Sequence, residues 1–214
     1  MDGFFSVDGP LMRALSRFAQ LLALSVLWIV CSVPWITAGA STAALYTVTL
    51  RMVRGEEGKV ASGFFRAWRE NFCQATLIHL LLTVLAAALL LYGQAAALFT
   101  GGAGLFFTGA GALMWLLWLM EALFVYPAQA RFANPLPVTV KNAWLMAAGN
   151  VPVLLGVFLI TGLPAWTLLL NTELLIRTLP LWLLAGPGLI AWLNSFLFAK
   201  CFQRYIPEQN ETGE

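Results

Sequence analysis

Four stretches of this chain, 73–92, 104–126, 151–170 and 179–199, run for about 20 residues each with almost no charge. That is the length an α-helix needs to cross the hydrocarbon core of a bilayer, and a chain with four such stretches has no soluble fold able to bury them. Composition agrees. Of 214 residues, 60% are hydrophobic and 10% charged, against about 25% charged in a soluble domain. The net charge of +2 is too small to point to nucleic acid. The expected class is all-α, a polytopic transmembrane helical bundle forming a single membrane-embedded domain over residues 1–214.

Two more segments extend the count. Residues 18–33 form an uninterrupted apolar run after Arg13 and Arg17 that stops at Pro34. Ala38-Gly39-Ala40 has the small-x-small look of a signal cleavage site. The apolar run, however, is long for a signal core of roughly 7–15 residues, and Asp2 and Asp8 lie ahead of it, so it reads as a retained first helix. Residues 37–53 are uncharged until Arg51 but rich in small and hydroxylated side chains.

The distribution of Lys and Arg decides how 37–53 is read. If it crosses, Arg13, Arg17, Arg51, Arg54, Lys59, Arg66, Arg69, Arg131, Lys141, Lys200 and Arg204 share one side, and only Arg177 lies opposite. The positive-inside rule favours this arrangement, with about six spans and both termini in the cytoplasm. Gly39 and Ala43, four residues apart, also suit close helix packing in lipid. A tilted or re-entrant 37–53 is the alternative.

Between the second and third spans, residues 62–72 place Phe64, Phe65, Trp68 and Phe72 opposite Arg66, Arg69 and Glu70. This pattern predicts a short interfacial helix on the inner leaflet, aromatics in the membrane and arginines toward anionic headgroups. Arg51, Arg54, Arg66, Trp68 and Arg69 then form a candidate docking or lipid-headgroup face; the plainer reading is an elbow leading into the third span.

The stretch GASTAALYTVTLRMVRGEEG, with the preceding GFFSVDGPLMRALSRF and the later FFRAWRENF, YPAQARF, KNAWLMAAGN and LIAWLNSFLFAKCFQRY, resembles the YesL-like family of bacterial multipass membrane proteins, a domain of unknown function. The resemblance covers essentially the whole chain. One departure is Ala133, where the family usually has an acidic residue. The family's genes lie beside carbohydrate transporter genes. That implies an accessory or regulatory part in carbohydrate uptake in the bacterial cell membrane, with an ABC-type sugar permease as partner, or self-association.

Ionisable groups at membrane depth are costly and mark function by default. Glu121 and the single His79 fall in consecutive antiparallel spans at similar distances from their inner ends, so they are expected at one depth and within hydrogen-bonding reach. Such a pair is able to relay protons or contact a polar solute, as in a small oligomeric transporter or channel. The structural alternative is a tie between them, or from Glu121 to Arg51 or Arg54. Asn194 and Ser195 in the last span, and Asn150 and Asn171 capping the fifth, read as glue between helices. Pro164, Pro187 and Gly188 are positioned to kink the last two spans. With one His, three scattered cysteines (Cys31, Cys73, Cys201) and no HExxH, GxSxG or P-loop pattern, neither an enzyme, a metal site nor a cofactor is expected.

Overall fold

The computed structural model describes residues 10–56 and 58–205. Asp2, Asp8 and the GFFSVDG stretch lie outside the described residues. Seven α-helices follow in order: α1 (Pro10–Ser32), α2 (Ala38–Val53), α3 (Val60–Ala96), α4 (Gly101–Arg131), α5 (Leu136–Gly149), α6 (Val151–Leu170) and α7 (Thr172–Gln203), with a 3-10 turn at Trp35–Thr37. Among the described residues there is no strand, as expected of an all-α bundle.

The helices stop where backbone chemistry requires it. Pro34 follows the end of α1, and the Thr37 hydroxyl ties the turn back to the Cys31 carbonyl at 2.6 Å. Gly55 and Gly101 adopt φ of 74° and 65°, left-handed conformations that favour glycine, and they turn the chain from α2 to α3 and from α3 to α4. Cross-helix contacts give the directions. Arg17 bonds the Met52 carbonyl at 3.0 Å and Trp28 the Thr42 hydroxyl at 3.1 Å, so α1 and α2 form an antiparallel hairpin. Trp118 bonds the Leu82 carbonyl at 2.9 Å and Tyr92 the Phe107 carbonyl at 3.0 Å, so α3 and α4 are antiparallel too. Arg204 and Tyr205 meet Asn150, bringing the end of α7 to the start of α6. Both described chain ends therefore lie at one basic end of the bundle.

α2 is the packing centre. Ten of its 16 residues are buried, and it packs against α1, α3, α4 and α7. Its composition explains this. The hydroxyls of Ser41, Thr42, Thr47 and Thr49 each bond the carbonyl four residues back, so a polar-looking helix presents a satisfied surface to its neighbours. A Cβ on Gly39 would collide with the Ala75 carbonyl oxygen on α3, and one on Gly188 with the Leu21 carbonyl on α1. These glycines set the closest approaches of α2 to α3 and of α7 to α1.

The structure redraws several expected boundaries. Four helices, α1, α3, α4 and α7, are long and apolar enough to cross a membrane, or five spans if the bent pair α5–α6 counts as one. α2, with 16 residues, rises only about 24 Å against the roughly 30 Å of hydrocarbon, and falls short of a lone span. It is screened by other helices and does not meet lipid on all sides. The α1–α2 tip stops partway along α3, where Trp35 packs on His79 with ring centroids 5.2 Å apart.

Residues 62–72 are not a separate interfacial helix but the first turns of the 37-residue α3. Phe64, Ala67, Ala75, Ile78, Leu82 and Leu89 are all buried, one stripe at helical spacing with no break near residue 72. Phe64 is fully buried and Trp68 and Phe72 pack against the bundle, whereas Phe65 alone of the four aromatics is exposed. α4 does not end at Tyr126 and Pro127 but runs through Pro127 to Arg131. α5 occupies what was expected to be a loop, and the α5–α6 pair bends by 99°.

Candidate functional site

Two regions gather the side chains singled out above. The first lies at membrane depth between α3, α4 and α5. His79 Nδ1 is 3.0 Å from the Tyr126 hydroxyl, so its partner is Tyr126 and not Glu121. Neither oxygen of Glu121 has a hydrogen-bond partner among the described residues, and the expected tie to Arg51 or Arg54 is not made. Glu121 instead lines a cavity of about 620 Å³ walled by apolar side chains, whose one other ionisable group is Lys141. Lys141 arrives on α5, and this is why the sequence missed the pairing of regions. α5 is fixed there by Gln74, which donates to the Thr139 hydroxyl at 3.0 Å and the Asn134 carbonyl at 3.1 Å.

Asn194 belongs to a different place. Fully buried on α7, it donates to the Thr161 hydroxyl at 2.9 Å and the Tyr46 hydroxyl at 3.3 Å. Ser195 beside it reaches Thr49 at 2.8 Å. These bonds join α2, α6 and α7, the arrangement that polar side chains adopt where helices associate in lipid. Asn171 caps α7, accepting from the Leu174 amide at 3.0 Å. Asn150 makes no side-chain cap for α6 and bonds Met146 and Tyr205.

The second region is the basic end. A cleft of about 740 Å³ opens where α1, α2 and the start of α3 meet, lined by Arg17, Arg51, Lys59 and Arg66 among others, with Glu56 the one carboxylate among its described lining residues. Of the five residues expected to share a face, only Arg51 and Arg66 line it. Arg54 is taken up by Glu56, with Nε–Oε1 2.6 Å and Nη2–Oε2 3.0 Å. This bidentate bond, together with the charges of Arg54, Arg131 and Arg51, holds the Glu56 carboxyl below its ordinary value. Trp68 points into the bundle and Arg69 lies exposed outside the cleft. Arg17 and Lys59 are the cations that spacing along α3 did not reveal, because they come from α1 and from the α2–α3 turn.

Most of the cleft and of the α1–α2 hairpin, though not Arg17 or Gln20, lies in the part of the chain that matches a family. Residues 21–92 carry the DUF624 signature, described as a protein of unknown function. The DUF624 match runs from Leu21 in α1 to Tyr92 in α3, so it contains Arg51, Arg66 and His79 but neither Glu121 nor Asn194. The resemblance read from the sequence runs over essentially the whole chain; the match to this family covers residues 21–92 of it. Neither a curated protein nor a solved structure matches the chain. Among the described residues no group of three His, Cys, Asp or Glu is placed to hold a metal ion, and the three cysteines are free.

Proposed function

We propose that this membrane protein is a non-enzymatic accessory or regulatory subunit of the bacterial cell membrane that engages its partner through the basic cleft. The observation that carries the reading is the concave surface formed by Arg17, Arg51 and Arg66 from three helices and Lys59 from the α2–α3 turn, at one end of the bundle. The excess of Lys and Arg at that end orients it to the cytoplasm, where anionic lipid headgroups and the cytoplasmic loops of other membrane proteins lie. The family resemblance makes an ABC-type sugar permease the partner to test first, with a second copy of this chain next, and carbohydrate uptake the process served. The non-catalytic assignment rests on the sequence, which holds one His and no nucleophile, metal or nucleotide motif.

Affinity purification from native membranes tests this directly. A membrane partner copurifies with the wild-type chain and is lost from the Arg51→Glu/Arg66→Glu double variant; recovery with no partner at all contradicts the proposal. A small transporter or channel for a polar solute is the second reading, favoured by Glu121 beside a cavity at membrane depth. Solute flux into liposomes holding only this protein separates the two, since an accessory subunit gives none.

A further inference from the structure

We propose that the lateral cavity between α3, α4 and α5 binds a phospholipid with a primary-amine headgroup, its ammonium on Glu121 and its phosphate on Lys141. The proposal is independent of the accessory-subunit reading, which concerns the basic cleft at the end of the bundle.

The argument starts from the carboxyl group. Glu121 lies about two thirds of the way along the span-length α4, and both its oxygens are buried without a donor. Buried polar groups are almost always hydrogen-bonded, and an unpaired one calls for a missing partner. The cavity it lines holds about 620 Å³ and is otherwise apolar, with walls that include Leu85, Leu89, Met114 and Leu117. Leu85 and Leu117 are exposed on the outside of the bundle, so the opening faces lipid and not water. An occupant arriving from that side must carry a hydrocarbon body and a polar head.

Charge complementarity fixes the head. The cavity offers one carboxylate and one ammonium from different helices, Glu121 on α4 and Lys141 on α5. It therefore matches a zwitterion with a cation and an anion a few bonds apart. Glu121 needs hydrogen-bond donors, and a donor carrying positive charge bonds a carboxylate most strongly. A primary ammonium has three and a quaternary ammonium has none. An anionic glycerol headgroup donates hydroxyls to Glu121 but brings no positive charge to balance the carboxylate. Lys141 is exposed, and its long side chain can extend toward a phosphate near the headgroup layer.

Native mass spectrometry of the purified full chain, exchanged into equimolar phosphatidylethanolamine, its N-methylated series, phosphatidylcholine and phosphatidylglycerol, tests the site. Retention of phosphatidylethanolamine should exceed phosphatidylcholine and phosphatidylglycerol by roughly fivefold or more, a difference of about 1 kcal/mol. Retention should fall stepwise with each N-methyl group. Glu121→Gln should remove the amine preference, and Lys141→Met should weaken retention of all the phospholipids. Equal retention of the ethanolamine and choline lipids by the wild-type chain overturns the proposal, as does an amine preference unchanged in Glu121→Gln. Were Glu121→Gln to fail to fold, the wild-type headgroup series still decides.

Discussion

His79 and Tyr126 share a hydrogen bond of 3.0 Å across α3 and α4, while Trp35 from the α1–α2 turn packs on the same imidazole. Three elements thus converge on the one histidine of the chain. Its role in the bundle is a tie, and Tyr126→Phe should cost about 1 kcal/mol, lowering the melting temperature in detergent by about 2–4 °C. An unchanged melting temperature would remove the tie from the account.

Gly39 and Gly188 set the closest helix approaches, and each should be intolerant of a single methyl group. Gly39→Ala pushes against a backbone carbonyl of α3, and Gly188→Ala against one of α1. Neither neighbour moves without shifting a helix, so each change should destabilise by about 1–3 kcal/mol. Gly93 has open space around its α-carbon, and Gly93→Ala should be neutral or stabilising by up to about 1 kcal/mol. Denaturant titration of the three variants checks the order.

The Ser195–Thr49 bond of 2.8 Å joins α7 to α2 inside the bundle. A double-mutant cycle with Ser195→Ala and Thr49→Val should return a coupling near the membrane-protein average of about 0.6 kcal/mol. Zero coupling would leave packing and the Asn194–Tyr46 hydrogen bond to hold α7 against α2.

Glu56 predicts a pH dependence at the basic end. Its carboxyl is held below the ordinary value of 4.5, chiefly by the Arg54 hydrogen bond and then by the charges of Arg54, Arg131 and Arg51. Because the folded-state value is depressed, the stabilising contribution is complete above the ordinary value. It is lost as pH falls through the folded-state value. The pair is partly solvent-accessible, its side chains 25% and 52% exposed, so the effect is small, within the 0–1 kcal/mol of a surface ion pair. Stability curves of wild type and Glu56→Gln should converge at acid pH and separate toward neutrality.

Much of the fold was legible because lipid demands long apolar runs. The spans at 73–92, 104–126 and 179–199 all fall inside observed helices, and the small-residue stretch GASTAAL forms the central helix its composition favours. What span length could not show was where helices continue past the membrane. α3 reaches back to Val60 and α4 on to Arg131, since charged residues end an apolar run without ending a helix. α5 was hidden by the same criterion. Its buried residues Thr139, Ala143, Met146 and Ala147 do recur at helical spacing, a stripe visible to periodicity though too short for a span search. The site suffered most from this. Glu121 stood out by its depth, but the other charged residue of its cavity comes from α5, and the cations of the cleft come from α1, α2, the α2–α3 turn and α3. No spacing within one helix brings those together.

The central claim is that the basic end is where this chain meets a partner. A photo-crosslinking residue placed at Ser62, beside the cleft, and another at the exposed Leu105 near the far end of α4, test it in native membranes. A discrete adduct with a second polypeptide at Ser62, with none at Leu105, is the predicted result. No polypeptide adduct at Ser62, or the same adduct at both positions, would contradict it.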